Sequence, residues 1–254
     1  MTGRLYGLGV GPGDPELLTL KAHRLLQSCK VIAFPAPDTG PSFARSIVEQ
    51  FVVSGQVEYP IIIPMRTERF PAQAIYDEAA KHLAGHLEAG EDVAVLCEGD
   101  PFFYGSFMYL YERLAGRFDC EIVPGVSSIM AGAAALRRPL AARNDVLVVI
   151  PGPLLDEAIA EKLSTADAAV IIKVGRHFDR IRTLIAELGL TGHAGYLERV
   201  SLADERILPL SAATGTAPYF SMILVYKGAE DWVSSLPVIE RDSARAGEEE
   251  VHNV

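Results

Sequence analysis

Two hydrophobic periods alternate along the chain. Short runs of apolar, β-prone residues are separated by longer stretches in which apolar positions recur every three or four residues. Leu5 to Val10, Val31 to Phe34, Val57 to Ile63, Val93 to Cys97 and Cys120 to Val123 read as strands. Several are apolar on both faces, as parallel strands covered on both sides must be. Between them the clearest helix runs from Ala72 to Ala89, with Ile75, Ala79, Leu83 and Leu87 on one face and Gly90 as its stop. Thr19 is a candidate cap for a helix carrying Ala22, Leu25, Leu26 and Cys29, while Asp14 with Pro15 offers an earlier start.

Beyond Pro124 the pattern changes. A small-residue helix at Met130 to Leu136 is followed by a strand at Val146 to Ile150, a helix at Leu154 to Leu163, a strand at Ala168 to Val174 and a helix at Phe178 to Leu188. Consecutive strand-like pieces then follow at Ala194 to Leu197, Glu205 to Leu208 and Tyr219 to Tyr226. An α/β half ending in successive strands predicts a mixed sheet. The expected organisation is α/β: an N-terminal domain over 1–123 with a mostly parallel sheet, a C-terminal domain over 124–240 with a mixed sheet, and a flexible acidic tail over 241–254.

Composition narrows the function classes. The chain has 254 residues, enough for a substantial core, and its net charge of -10 argues against a nucleic-acid partner, which needs a concentrated basic surface. No apolar stretch approaches the length of a membrane span and the N-terminus lacks a secretory pattern, so no membrane partner and a cytoplasmic location are expected. Cys29, Cys97 and Cys120 are widely spaced and read as reduced core residues. No metal site is expected: His82 and His86 read as an exposed helix face.

The most informative segment is Cys97-Glu98-Gly99-Asp100-Pro101-Phe102-Phe103-Tyr104-Gly105-Ser106-Phe107, which follows the apolar run Val93 to Leu96. An apolar strand ending in carboxylates, glycines and a proline is where an open α/β sheet presents a ligand site. The earlier loop Gly7-Leu8-Gly9-Val10-Gly11-Pro12-Gly13-Asp14-Pro15 has the wrong spacing for a dinucleotide fingerprint, and no Gly-Lys-Ser/Thr follows. Pro12 and Pro15 remove N–H donors, and Asp14, Glu98 and Asp100 repel phosphate. Such loops suit a phosphate-free ligand with ammonium, sulfonium and hydroxyl groups, a description that S-adenosylmethionine meets.

Three motifs in order complete the reading: the loop from Gly7 continuing to Ala22, Glu98 to Ser106, and Val123-Pro124-Gly125-Val126-Ser127-Ser128. With them the chain resembles the tetrapyrrole methylase family from residue 4 to about 228. The resemblance implies two α/β domains of the class III methyltransferase kind, S-adenosyl-L-methionine as cofactor in the cleft between them, a tetrapyrrole substrate and a homodimer. It implies cofactor contacts at Val10, Gly99, Asp100, Phe103, Ser106, Ser127, Ser128 and Val174. For Asp100 a loop-capping role competes with ligand contact, and either serine suits a helix N-cap. Phe103 and Val174 are equally readable as core.

Further traits, among them Ser42 to Val48, Lys173-Val174-Gly175-Arg176-His177, Glu198-Arg199 and Pro218 to Val225, resemble the branch that methylates carbon 20 of precorrin-2 in cobalamin synthesis. A cobalt-bound substrate, a sibling methylase and a non-catalytic nucleoside- or tetrapyrrole-binding protein stay open as alternatives. Such a polycarboxylate calls for local cations, and Arg66, Arg69 and Arg176 are the candidates with Tyr104, followed by Arg45 and Arg143. No catalytic base is assigned among Glu98, Asp100, Tyr104 and water.

Overall fold

The fold comes from a computed structural model, which describes residues 1–64, 71–228, 230, 232, 233, 241 and 242. Two compact units divide the chain, Met1–Ser128 and Ile129–Val254. The boundary lies a few residues beyond the expected one at Pro124, and Gly125 closes against Gly9 and Gly99 of the first unit.

The first unit contains β1 (Leu5–Gly9), α1 (Leu20–Ser28), β2 (Val31–Ala36), α2 (Phe43–Ile47), β3 (Val57–Ile62), α3 (Pro71–Glu88), β4 (Val93–Cys97), α4 (Phe107–Leu114) and β5 (Cys120–Val123). Its strands form one parallel sheet in the order β3-β2-β4-β1-β5. Side chains alternate between two buried layers. Leu5, Val31, Ala33, Val93, Val95 and Cys97 pack with α3 and α4, while Tyr6, Leu8, Ile32, Phe34, Ala94 and Leu96 pack with α1 and α2. All five strands expected from the hydrophobic runs are present.

Local chemistry sets the helix ends. Thr19 Oγ1 accepts from the Ala22 N–H at 3.1 Å and caps α1, while Asp14 Oδ1 accepts from the Glu16 N–H at 2.8 Å and starts a separate 3-10 turn at Pro15–Leu17. Both candidate starts are therefore real, for different elements. At the end of α3, Gly90 adopts φ +82°, with its N–H on the Leu87 carbonyl and the Glu91 N–H on that of His86. The pattern did not single out α2 or α4, which are short and carry aromatic or polar residues on their exposed sides.

The second unit contains α5 (Ser128–Leu136, its first residue belonging to the first unit), β6 (Leu147–Pro151), α6 (Asp156–Thr165), β7 (Ala168–Ile172), α7 (Phe178–Glu187), β8 (Ala194–Glu198), β9 (Arg206–Pro209), β10 (Ser221–Tyr226) and β11 (Arg241–Asp242). The sheet order is β11-β9-β8-β10-β7-β6; only β6 and β7 pair in parallel, so the sheet is mixed as expected. One face is filled by Ile159 and Leu163 of α6 and Phe178, Ile181 and Ile185 of α7. On the other, Leu136 of α5 lies over Gly195, and Gly132 faces Met222 and Leu197. Of the expected tail, Arg241 and Asp242 instead pair with β9, and residues 243–254 lie outside the described residues.

The topology of the first sheet fixes where its loops meet. The β1–α1–β2 crossover passes over β4 in one direction, and the β4–α4–β5 crossover passes over β1 in the other. Their helices lie on opposite faces, and the carboxyl ends of β1 and β4 become a topological switch point. Glycines allow the chain segments to close there. A Cβ on Gly9 would sit 2.5 Å from the Cα of Gly125 and 2.7 Å from the carbonyl oxygen of Gly99. A Cβ on Gly125 would sit 2.7 Å from the Cα of Gly9 and closer still to the Gly99 carbonyl. One register step earlier Phe107, fully buried, lies over Gly7, a burial worth about 1.5–3 kcal/mol.

This packing makes a prediction for stability. Gly125→Ala forces backbone apart and should cost about 2–3 kcal/mol in denaturant unfolding, whereas Gly116→Ala should stay within about 0.5 kcal/mol. The Gly116 position has open space around it. Equal midpoints for the two variants would contradict the close packing.

Candidate functional site

Three chain segments leave the same edge of the first sheet: 10–15 after β1, 98–106 after β4 and 124–127 after β5. The first two pair with each other. The Val10 N–H donates to the Cys97 carbonyl at 2.9 Å, the Gly99 N–H to the Gly11 carbonyl at 2.8 Å and the Gly11 N–H to the Gly99 carbonyl at 3.3 Å. Gly99 takes φ +63°, a left-handed conformation that favours glycine.

Asp100 ties in the third segment. Its Oδ1 accepts from the Phe102 N–H at 2.9 Å and its Oδ2 from the Gly125 N–H at 3.0 Å. The first bond closes an Asx turn over Pro101, and the second joins the β4 loop to the β5 loop across 25 positions of sequence. Both carboxylate oxygens thus serve the junction itself, while each retains acceptor capacity toward a ligand.

Beyond Asp100 the chain turns sharply. A Cβ on Gly105 would lie 2.5 Å from the Pro101 carbonyl oxygen, so only glycine fits. Tyr104 is held at φ +57°, a conformation costing a bulky residue on the order of 1–3 kcal/mol. Its exposed ring meets that of half-buried Phe103 edge-on at 5.1 Å. Ser106 precedes α4 and hydrogen-bonds Tyr76. Ser127 is buried immediately before α5, and Ser128 is the first residue of that helix.

The electrostatics of the junction are one-sided. Segments 7–15, 97–107 and 123–128 contain Asp14, Glu98 and Asp100 but no lysine, arginine or histidine. Glu98 is half-buried at the end of β4; burial pushes its carboxyl above the ordinary value, although N–H groups of its own backbone and of Ala44 pull the other way. Within these three segments a phosphate finds carboxylates and no cation, whereas a sulfonium, an ammonium and ribose hydroxyls find complementary groups. The residues present therefore fit S-adenosylmethionine.

The remaining expected residues divide. Val174, in the second unit, is fully buried with Ile171 and Phe178 in that unit's core. Arg176 is exposed on the 3-10 turn Gly175–His177. Arg66 and Arg69 lie outside the described residues. Arg45 is occupied by a two-pronged ion pair with Glu58, at 2.7 and 3.0 Å, and Arg143 pairs with Glu230 at 2.8 Å. Among the described residues no group of three or more His, Cys, Asp or Glu is arranged to hold a metal ion. His82 stacks on Tyr59 with ring centroids 4.0 Å apart, and His86 contacts Glu91 at 2.6 Å. The three thiols are unpaired by disulfides, and burial pushes all of them up, Cys29 to about 12, so they are inert core groups.

Sequence reasoning missed the contact of Ala44 with Glu98, the bond between Tyr76 and Ser106, and the role of Gly125 as a partner of Asp100. The first two join distant segments and leave no local signal; the third was visible only as a glycine inside a motif.

Glu98 carries a pH prediction. Its folded pKa is raised above 4.5, so the folded state binds more protons than the unfolded chain and stability falls as pH rises from about 4.5 through the raised folded value. Glu98→Gln should remove that slope, gaining stability relative to the wild type as pH rises. Parallel stability–pH curves for the two proteins would contradict a buried ionising Glu98.

Comparison with known proteins places this geometry. The chain is 42% identical over 235 residues to a Mycobacterium tuberculosis protein named cobalamin biosynthesis protein CobIJ, covering 89% of this chain and 46% of that protein. It thus spans about half the length of that relative. It is 40% identical over 232 residues to a Sinorhizobium protein named precorrin-2 C(20)-methyltransferase, covering 88% of this chain and 95% of the relative. Among solved structures, a Thermus thermophilus uroporphyrin-III C-methyl transferase complexed with S-adenosylhomocysteine superposes with a TM-score of 0.64 at 24% identity, over 88% of this chain and 97% of the other. That likeness shows the shared fold. The sequence model of the Tetrapyrrole (Corrin/Porphyrin) Methylases matches residues 4–214, and the chain belongs to that family.

Proposed function

We propose that the protein transfers a methyl group from S-adenosylmethionine to carbon 20 of precorrin-2, giving precorrin-3A in cobalamin synthesis. The observation that carries the reading is the junction of Gly9–Gly11, Gly99–Asp100 and Gly125–Ser127 at one sheet edge, built from segments that carry carboxylates and no lysine, arginine or histidine. The Sinorhizobium relative's name supports the choice of substrate.

In this reading Val10, Gly99, Asp100, Phe103, Ser106, Ser127 and Ser128 line the place of the methyl donor. Val174, buried in its unit's core as Val10 is in its own, belongs to the same proposed set. The donor supplies an electrophilic methyl group, so side chains have little covalent work to do. Asp100 holds two loops in register, and the glycine backbone sets how closely a ligand approaches. Ordered loops and exclusion of water then supply alignment for an in-line displacement. Glu98 stands at the end of β4 beside the junction with its carboxyl raised by burial, and we propose it as the group that handles the proton lost from the acceptor carbon. A homodimer in the cytoplasm belongs to the same proposal; among the described residues no helix is long and apolar enough to cross a membrane.

The test is direct. Incubation with S-adenosylmethionine and either metal-free or cobalt-bound precorrin-2 should release S-adenosylhomocysteine and add one methyl group at carbon 20 of the metal-free substrate. Methylation of the cobalt form alone would shift the substrate assignment. Methylation at another carbon would support a sibling methylase, and tight binding without mass gain would contradict enzymatic activity.

A further inference from the structure

One edge of the second sheet gathers features that the methyl-donor reading does not use. The register brings them together: β10 pairs Met222 with Ile172 of β7 and Ser221 with Glu198 of β8, and β6 pairs Pro151 with Ile172. The turn at 173–177, the turn at 199–201 and the Tyr219–Phe220 approach to β10 therefore lie along the same edge.

One segment of that edge is cationic in a protein whose net charge is -10, while Glu198 and Asp204 at the 199–201 turn face Arg199 and Arg206, and Glu205 accepts from the Ser201 N–H. Residues 173–182 hold Lys173, Arg176, Arg180 and Arg182 against Asp179 alone. Most neighbouring arginines have structural work. Arg180 pairs with Asp156 and donates to the Gly152 carbonyl at 2.6 Å, Arg182 lies 3.7 Å from Asp179, and Arg199 pairs with Glu198 and Asp204 at 3.2 and 3.1 Å. Arg176 differs: it is exposed and forms no ion pair among the described residues.

Arg176 is nevertheless positioned. Its Nε–H donates to His177 Nε2 at 3.4 Å, and burial, followed by the charges of Arg180 and Arg176, lowers the pKa of His177, which keeps that ring a neutral acceptor. The turn is braced by the His177 N–H on the Val174 carbonyl and the Gly152 N–H on the Ile172 carbonyl, each at 2.7 Å. Lys173 is held at φ +57° within it, and a Cβ on Gly152 would lie 2.8 Å from the Lys173 carbonyl oxygen. Along the same edge Tyr219 and Phe220 are 62% and 41% exposed, their rings edge-on at 5.0 Å, so apolar surface lies on the edge that holds the cationic segment.

We propose that this edge binds the carboxylate side chains of an apolar macrocycle, with Arg176 as the specificity-determining residue that reads a carboxylate with its planar fork and Lys173 adding to the local potential. The proposal rests on the reading of the substrate as a tetrapyrrole.

Uroporphyrin, a stable porphyrin polycarboxylate, serves as probe in fluorescence titrations of the full chain. Arg176→Gln should weaken its binding by about tenfold, Arg176→Lys should fall between the two, and added salt should narrow the differences. S-adenosylhomocysteine affinity and thermal midpoint should stay unchanged, since Arg176 is exposed. In the methylation assay Arg176→Gln should raise KM for precorrin-2 and leave kcat within about twofold. Uroporphyrin binding and KM both unaffected by Arg176→Gln, or no uroporphyrin binding by the wild type, would overturn the proposal. Arg176-dependent uroporphyrin binding by a wild type that methylates no tetrapyrrole would contradict the enzymatic reading and uphold this binding edge.

Discussion

The approach of three backbones at Gly9, Gly99 and Gly125 is the constraint on which the first unit's loops depend. No side chain fits between these segments, because any Cβ at Gly9 or Gly125 would fall inside the radius of a neighbouring backbone atom. The contact forces the ends of β1, β4 and β5 to a common point, and hydrogen bonds then fix it. The Gly11–Gly99 bridge aligns two loops, and Asp100 secures the third through the Gly125 N–H. A compact junction follows from that packing, and its three segments carry carboxylates and no cation.

Around this point the hydrophobic layers are conventional, and the strain is local. The parallel sheet is buried on both faces, with odd-numbered side chains of β1, β2 and β4 facing one layer and even-numbered ones the other. Four of the six described non-glycine residues with left-handed backbones follow strands, Tyr104 after β4, Lys173 after β7, and Arg199 and Ser201 after β8, while Arg137 and Arg143 lie between α5 and β6. Each costs on the order of 1–3 kcal/mol, which the surrounding cores must offset. Strain at strand ends, where both sheets present their loops, is where binding geometry has to be set in advance of a ligand.

Most of the architecture was legible in the hydrophobic pattern. Runs such as Val93 to Cys97 and the periodic Ile75, Ala79, Leu83 and Leu87 declare their elements because burial on a fixed period leaves no other reading. Thr19 and Gly90 were equally legible, since their chemistry acts within one helical turn. The short helices α2 and α4 were not, and tertiary packing of Phe107 over Gly7 and of Ala44 beneath β4 decides them. Strand ends shifted by a residue or two: Tyr219 and Phe220 are exposed rather than part of β10, because pairing begins only at Ser221. In the proposed site, residue types pointed to three loops that the structure brings together, but the bond of Asp100 to Gly125 and the occupation of Arg45 by Glu58 depend on partners distant in sequence.

We propose that the backbone junction of the three loops holds the methyl donor. Hydrogen–deuterium exchange with and without S-adenosylhomocysteine measures it most directly. The ligand should slow exchange in peptides spanning 98–106 and 124–130, with little change at the opposite edge of the first sheet. Protection confined to other segments, or none at saturating ligand, would contradict it.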